Sequence, residues 1–416
     1  TVEIAGEKGL KVDEEQFKVE MQKQKERARN ARAGNESMSS QKEDLMNFVE
    51  ASTFSYDPTP IQAKVIGVFE DGEQVDCIKD KGEIILDQTT FYATMGGQCA
   101  DTGVMKNDTT SLEVKDVVKA PNGQHLHVVE VKNGEVKVGD TLTLYINEQL
   151  RHQIQGNHSA THLLQAALKE VLGSHISQAG SYVDPYRLRF DFTHFEKVSA
   201  EQLAQVERIV NDKIFAGLDV TIKEMDKEEA IASGATALFD EKYGDKVRVV
   251  NMSDFSVELC GGCHVTNTSS IGLFKIEMEE SIGSGIRRLE AVTGKYAYEA
   301  LTKANDVIEQ ISQVLKLKNK AEVVTKVEAL DESLNSLRKE NEKLKAKLNS
   351  IEAKAKLDQV EQINGVPFLL VDVHDMNAKE AKELALEYRT QLNSGIVTLV
   401  NIEQDKATYY VAVSKD

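Results

Sequence analysis

The sequence predicts a multidomain α+β chain: a small antiparallel β-barrel, an α+β domain, a long helical coiled coil and a small α/β C-terminal unit. Its 416 residues are more than one ordinary domain holds, so two to four domains are expected. Short β-rich runs separated by turn residues occupy residues 51–149, and apolar residues recur every seventh position over 323–355. Between these stretches helix-like and strand-like segments alternate irregularly, which favours an α+β domain.

Composition narrows the class of protein. With 41% hydrophobic residues the chain can bury real cores, and no apolar run is long enough to span a membrane. Four cysteines are too few for a disulfide framework, so a reducing, cytoplasmic compartment is expected. A formal net charge of −18 argues against indiscriminate nucleic-acid binding but leaves room for RNA on a local basic face. No signal peptide is visible, and Thr1 in place of Met indicates a fragment or processed product.

The first two segments read as a helix with a linker, followed by a barrel. Charged helix formers fill residues 13–33, and the stretch GNESMSSQ follows as a linker. The β-rich runs are AKVIGVFE, GEIILDQ, LEVKDVVKA, HLHVVEV and DTLTLYINE, punctuated by DG, GG and PNG turns. This spacing predicts a small antiparallel barrel. His125 and His127 lie on one face of a strand and are expected to face solvent.

The α+β domain follows from Leu150 and ends near Gly294. Its first helix is LRHQIQGNHSATHLLQAALKEVLG, with Gly173 as the C-cap. SYVDPYRLRFDFTH predicts a strand, and a second helix runs from Ala200 to about Ala216. Further strands are predicted in LDVTIKEM, KVRVVNM and GLFKIEMEE.

Two apolar series with seven-residue spacing predict the coiled coil. The first is Val323, Leu330, Leu337, Leu344 and Ile351, and the second is Val327, Leu334, Asn341, Leu348 and Ala355. The two series form an a/d seam in which Asn341 is the polar position that fixes register. A preceding helix with its own apolar spacing and the flexible KLKNK allow an antiparallel hairpin, so closure within or between chains stays open. Strand, helix, strand, strand then complete the C-terminal unit.

Two pairs of residues predict a metal site. NHSATHLL places His158 and His162 four residues apart in a helical stretch, so both imidazoles lie on one helix face. A metalloprotease would carry a glutamate directly after the first histidine, and here that position is Ser159. Cys260 and His264 repeat the same spacing farther along the chain. Three imidazoles and one thiolate suit zinc, so we predict one Zn²⁺ per chain.

The stretch CGGCH also matches two other kinds of site. Cys-x-x-Cys-His is the attachment pattern of a c-type haem and contains a redox dithiol pattern. A haem would leave the HSATH histidines unexplained in a compartment that is expected to be reducing, and a dithiol would leave three histidines unexplained. Zinc accounts for all of them, and the intervening glycines allow a tight turn around the ion. Cys263 is then a neighbouring thiol and in principle a competing ligand.

Several motifs together resemble a known family. NHSATHLL, QAGSYVDPYRLRFDFTH, EKYGDKVRVV, SVELCGGCHV and GSGIRRLEAVTG resemble, in this order, the editing domain of alanyl-tRNA synthetase. LDQTTFYATMGGQCADTG resembles the barrel segment that precedes it in that family. The resemblance covers essentially the whole chain, whereas free-standing editing proteins normally lack the long coil and C-terminal unit. Threonyl-tRNA synthetase carries a related editing domain, but its anticodon-binding and synthetic parts have no counterpart here.

The resemblance gives each predicted segment an identity. The predicted domains are a helical remnant of the tRNA-binding region with a linker (1–50), the β-barrel (51–149), a zinc-containing editing domain (150–295), a helical hairpin or coiled coil (296–360) and a partial C-terminal α/β domain (361–416). The ATP-dependent catalytic domain of the family is absent from this sequence. ATP and Mg²⁺ would serve only that domain, which in the parent protein would ligate alanine to tRNA(Ala).

The resemblance also implies an activity and its residues. It implies hydrolysis of the ester in mischarged seryl- and glycyl-tRNA(Ala), with Thr161 and Gln178 lining the amino-acid pocket. Arg187, Arg189, Arg287 and Arg288 are candidates for contacts with the RNA backbone. The expected partners are tRNA(Ala) and mischarged aminoacyl-tRNA, with no membrane and with a homo-oligomer through the coil or the C-terminal domain.

The sequence departs from the family pattern at three places. Cys263 stands where threonine is usual, and Thr94 and Met95 stand in FYATMGGQ where the family has FYAESGGQ. The glycine-rich stretch late in the family's C-terminal domain is missing. The alternative function is a non-catalytic module that binds RNA, is stabilised by zinc and dimerises through its coil. The two functions differ in whether the metal keeps an open position.

Overall fold

The computed structural model describes residues 43–232, 234, 245–374, 376–403 and 406–415. The helix predicted at 13–33, the linker after it, part of EKYGDKVRVV and Asp416 lie outside the described residues. The chain divides into two compact units between Ala304 and Asn305, and each unit is described by itself. No helix among the described residues is both long enough and apolar enough to cross a membrane.

Residues 61–146 contain a closed antiparallel barrel, as the sequence predicts. The elements up to the end of the barrel are α1 (Glu43–Asn47), β1 (Thr53–Phe54), β2 (Ile61–Glu70), β3 (Glu73–Gln74), β4 (Cys77–Ile78), β5 (Lys81–Leu86), β6 (Gln88–Thr89), β7 (Gly103–Lys106), β8 (Ser111–Lys119), β9 (His125–Asn133), β10 (Val136–Lys137) and β11 (Thr141–Ile146). Six strands pair in the order β11-β7-β8-β9-β5-β2, and pairing of β11 with β2 closes the ring. Closure removes the exposed edges that an open sheet would present.

Alternating side chains of these strands fill the barrel. Val65, Ile84, Leu112 and Leu144 are among the fully buried residues of this core. A second cluster lies on the outside of the barrel, where Phe48, just after α1, meets Phe69 edge-on with ring centroids 5.6 Å apart. Burial of aromatic side chains on both surfaces holds the segment around α1 against the barrel.

The prediction that His125 and His127 face solvent is wrong. Their exposed fractions are 3% and 0%. His125 stacks on Phe54 of β1 with centroids 4.9 Å apart, and His127 Nε2 lies 2.9 Å from the hydroxyl of Thr89 in β6. The short parallel pair β1–β6 covers this face of β9, which the strand's own sequence could not reveal.

The rest of the first unit combines long helices with two antiparallel sheets. Its elements are α2 (Glu148–Leu172), β12 (Gln178–Val183), β13 (Leu188–Thr193), α3 (Ala200–Phe215), β14 (Val220–Asp226), α4 (Lys227–Ala232), β15 (Lys246–Met252), β16 (Ser256–Leu259), a 3₁₀ turn (Thr268–Ile271), β17 (Phe274–Gly283) and β18 (Ile286–Thr293). The sheets have the orders β12-β13-β18-β17 and β14-β15-β16. Helices α2 and α3 begin and end close to where the sequence places them.

SYVDPYRLRFDFTH forms a hairpin rather than the single strand that was predicted. The chain reverses after Val183, where the carboxylate of Asp184 accepts hydrogen bonds from the backbone N–H groups of Tyr186 and Arg187. An aspartate that caps a turn around Pro185 breaks the strand pattern. As a hairpin, β12 and β13 form one edge of the sheet that packs against α2.

The second unit contains a long helix and a small α/β sheet. Helix α5 (Gly294–Val314) leads into it, followed by a 3₁₀ turn (Lys320–Glu322), α6 (Val323–Leu357), β19 (Glu361–Ile363), β20 (Val366–His374), α7 (Ala378–Leu392), β21 (Ile396–Glu403) and β22 (Lys406–Val413). The heptad stretch is thus one helix. Its seam residues Leu330, Leu337 and Leu344 are 47%, 62% and 57% exposed, so a coiled-coil pairing remains a prediction.

Candidate metal centre

Helix α2 carries the first pair of predicted metal ligands, His158 and His162. Its N-cap Asn147 accepts a hydrogen bond from the backbone N–H of Leu150, and Gly173 ends the helix with φ 112°. Because the spacing is four residues, the His158 and His162 rings stack with centroids 5.5 Å apart. Both side chains are buried within the first unit.

The loop after β16 delivers the second pair. The guanidinium of Arg248 donates to the carbonyl oxygens of Cys260 and Gly262 at 3.1 and 2.6 Å. The hydroxyl of Tyr56 donates to the carbonyl oxygen of Gly261 at 2.8 Å. A Cβ atom on Gly262 would lie 2.0 Å from the His158 ring, so this position requires glycine. The loop is therefore held from outside and kept free of side-chain bulk on the side that faces His158.

The four predicted ligands come together in one cluster. One ligand atom from each of His158, His162, Cys260 and His264 lies within 4.8 Å of all the others. The Cys260 Sγ atom is 3.4 Å from His158 Nε2 and 3.3 Å from His264 Nε2. In the described part of the chain this is the one such group of metal-binding side chains. The cluster can hold a metal ion, as the paired spacings predict.

In each histidine of the cluster, the ring nitrogen Nδ1 contacts another side chain of the protein. His158 Nδ1 lies 2.7 Å from Gln98 Oε1, and His162 Nδ1 lies 2.6 Å from Glu258 Oε2. His264 Nδ1 lies 3.2 Å from the hydroxyl oxygen of Ser159, next in the chain to His158. Partners of this kind orient metal-binding imidazoles and fix which nitrogen carries the proton.

The electrostatics of the cluster favour an ionised thiol. Burial opposes ionisation of Cys260, but the imidazoles of His158 and His264 outweigh it and hold the pKa of this thiol well below its ordinary value. Burial also opposes charge on His162, but the Glu258 carboxylate and the Cys260 sulfur outweigh it and raise the pKa of His162 to about 10. The buried carboxylate and thiolate thus favour a positive charge at this place, which either a proton on His162 or a bound cation supplies.

A divalent cation would supply that charge. His162 Nε2 is buried and has no hydrogen-bond partner among the described residues, although its other nitrogen is bound to Glu258. An unpaired buried nitrogen beside a thiolate is costly unless a further group binds it. Three imidazole nitrogens and one sulfur are a donor set that zinc accepts, so the residues fit the metal predicted from the sequence.

Cys263 takes no place in the cluster. Its side chain is 2% exposed, and burial raises the pKa of its thiol to about 11, which keeps it protonated. Its backbone N–H donates to Gln98 Oε1 at 2.8 Å. The structure therefore gives the second cysteine of CGGCH a neutral, packed environment unlike that of Cys260.

The two residues predicted to line an amino-acid pocket lie on different elements. Thr161 lies on α2 directly before His162 and donates its hydroxyl hydrogen to the carbonyl oxygen of Asn157 at 2.9 Å. Gln178 begins β12, is half-buried, and donates to the hydroxyl of Ser181 at 3.1 Å. Both side chains have protein partners, so their pocket role stays a prediction.

The four candidate RNA-binding arginines each have a carboxylate partner. They lie on or beside β13 and β18: Arg187 donates to Glu290 at 2.6 Å, Arg287 to Glu279 at 2.6 Å and Arg288 to Asp191 at 2.7 Å, and Arg189 lies 3.6 Å from Asp191. Arg187 is the most exposed of them. Three of these pairs join β18 to a neighbouring strand or to the residue beside it, whereas Arg189 and Asp191 lie on the same strand. Contact with RNA remains a prediction.

Sequence reasoning missed the residues that hold the ligands in place. Gln98 comes from the barrel, and Glu258 and Arg248 come from β16 and β15. Glu258 lies within SVELCGG, two positions before Cys260, and an acid this close to a predicted ligand is a signal that could have indicated it. Nothing local to Gln98 indicates its distant partner.

Two family models match this chain. Residues 1–150 match the model of class II (A) tRNA synthetases. Residues 247–290, which include Cys260 and His264, match the threonyl and alanyl tRNA synthetase second additional domain. Both models describe parts of tRNA synthetases, one near each end of the first unit.

Over its whole length the chain is also similar to one kind of tRNA synthetase. Alanine–tRNA ligases of Staphylococcus aureus strains Newman and COL are each 46% identical to the chain over 419 residues, covering 100% of it and 48% of the relative. The enzyme of strain JH9 is 45% identical over the same span. The resemblance to alanyl-tRNA synthetase inferred from the motifs is thereby confirmed. The chain spans about half the length of the curated relatives it matches.

Proposed function

We propose that this chain is the editing portion of an alanyl-tRNA synthetase and hydrolyses the ester of seryl- and glycyl-tRNA(Ala). The observation that carries the proposal is the buried cluster of His158, His162, Cys260 and His264 in a chain related throughout to alanine–tRNA ligases. Its domains would be those expected from the sequence, and the parent protein would ligate alanine to tRNA(Ala) with ATP.

The need for such an activity follows from the size of alanine. A pocket that accepts alanine struggles to reject glycine, which lacks one methyl group, or serine, which adds one hydroxyl. A difference of one methylene group is worth roughly 1–3 kcal/mol, too little for faithful translation without a second hydrolytic site.

Each group of candidate site residues has a separate role in the proposed reaction. His158, His162, Cys260 and His264 would hold Zn²⁺, and when bound it supplies Lewis-acid polarisation of the aminoacyl ester or of a water. Thr161, directly before a ligand on α2, would read the serine hydroxyl together with Gln178. Arg187, with an exposed guanidinium, is the candidate best placed to meet a phosphate, and the tRNA would be the partner.

The test is a deacylation assay on tRNA(Ala) charged beforehand with labelled serine, glycine or alanine. The chain should release serine and glycine and largely spare alanine, without ATP. Cys260→Ala should abolish release. Equal rates on seryl- and alanyl-tRNA would contradict editing, and a zinc-loaded chain without any hydrolysis would favour the non-catalytic module.

A further inference from the structure

Gln98 joins the barrel to the metal cluster. It follows the Gly96–Gly97 turn, where Met95 and Gln98 exchange backbone hydrogen bonds, and it is fully buried. Its side-chain oxygen lies 2.7 Å from His158 Nδ1 and 2.8 Å from the backbone nitrogen of Cys263. One oxygen atom therefore touches both segments that carry metal ligands.

The orientation of this side chain follows from its partners. The backbone nitrogen of Cys263 can only donate, so the Gln98 atom that faces it must be the oxygen. That oxygen can only accept, so the nearby Nδ1 of His158 must carry the ring proton. A neutral imidazole protonated at Nδ1 has its lone pair on Nε2, the nitrogen that faces Cys260 Sγ.

The space around this contact supports a specific role for Gln98. A Cβ atom on Gly262 would lie 2.9 Å from Gln98 Oε1 and still closer to the His158 ring. Glycine at this position leaves room for the glutamine to reach the histidine.

We propose that Gln98 is a positioning residue, which orients His158 so that the Nε2 atom of His158 can bind zinc. Zinc binding then depends on the packing of the barrel loop, residues 94–99, against the metal ligands. By reciprocity, zinc should hold the loop of residues 94–99 against the metal-binding domain as firmly as the loop improves zinc binding. The proposal concerns zinc binding by the whole chain and does not depend on whether the chain hydrolyses an ester.

Zinc affinity of the full chain, measured by competition with a chelator, tests the proposal. Gln98→Met keeps the length of the side chain but cannot accept, and should weaken binding about 10–100-fold. Gln98→Glu keeps the accepting oxygen and should bind nearly as well as the unaltered chain. Gln124→Met removes another buried barrel glutamine, which bonds Phe48 and Glu50, and should leave zinc affinity unchanged.

Two results would overturn the proposal: unaltered zinc affinity in Gln98→Met, or equal losses in Gln98→Met and Gln98→Glu, which would indicate packing alone. If Gln98→Met does not fold, histidine ¹⁵N NMR of the unaltered zinc-loaded chain decides instead. His158 should show a slowly exchanging proton on Nδ1 and zinc on Nε2. Zinc should also slow amide exchange of Cys99, whose N–H donates to Val183, and the reverse assignment or no slowing would contradict it.

Discussion

His162 Nδ1 and Glu258 Oε2 are 2.6 Å apart, with both side chains buried. The carboxylate fixes the ring and strengthens its other nitrogen as a donor to a cation. Glu258→Ala should therefore weaken zinc binding about 10–100-fold, measured by chelator competition. Glu201→Ala, at an exposed glutamate of α3, serves as the control and should bind zinc normally. Equal affinity in the two variants would remove Glu258 from the site.

The choice between the two cysteines can be tested by metal content. Elemental analysis should find one zinc per chain, lost in Cys260→Ala and kept in Cys263→Ala. The reason is that Cys260 Sγ lies among three imidazoles, whereas burial keeps Cys263 protonated. Zinc kept by Cys260→Ala and lost by Cys263→Ala would show that the other sulfur is the ligand.

Thr161→Val tests how the site reads serine. The substitution keeps the shape of the side chain and removes the hydroxyl, whose hydrogen bond to Asn157 is local to the helix. The rate on seryl-tRNA relative to alanyl-tRNA should fall while zinc content stays at one per chain. An unchanged ratio would assign Thr161 to packing alone.

Acid should destabilise the barrel through His127. Burial lowers the pKa of this imidazole from 6.5 to about 4, so the unfolded chain takes up a proton that the folded barrel excludes. Stability is then complete above pH 6.5 and declines as the pH falls toward 4. One-site linkage gives a loss of about 2 kcal/mol between pH 7 and pH 5.

Urea titrations followed by amide exchange in β9 measure this loss. His127→Gln should remove about half of the dependence on pH, because burial also lowers the pKa of the neighbouring His125, to about 3, and this group contributes a similar share. His152→Gln, at an exposed histidine of α2, should leave the dependence unchanged. A barrel equally stable at both pH values would show that His127 is protonated in the folded state.

Asn341→Leu tests the predicted coiled coil. If α6 pairs through its seam, replacing the polar position with leucine should raise the melting temperature and loosen the choice of register or partner. Calorimetry and sedimentation measure the two effects. A lower melting temperature with one unchanged oligomeric state would mean that the seam lies on another face.

Local spacing carried much of what the sequence predicted. A four-residue interval forces His158 and His162 onto one helix face whatever surrounds them, and β-rich runs between turn residues were enough to predict the barrel. Contacts between segments that are distant in the sequence could not be predicted. Gln98 meets His158 only because the barrel packs on α2, and His127 is buried only because β1 and β6 cover it.

The metal cluster and its supporting residues come from three separate stretches of the chain, at Gln98, at His158–His162 and at Glu258–His264. Synthesis on the ribosome releases these stretches in that order. While the last of them is still inside the ribosome, α2 can offer an ion two nitrogens and no sulfur. Zinc binding is therefore completed late in folding. A shortage of zinc during translation should leave chains in which the barrel is folded but the domain that carries the metal ligands is incompletely packed.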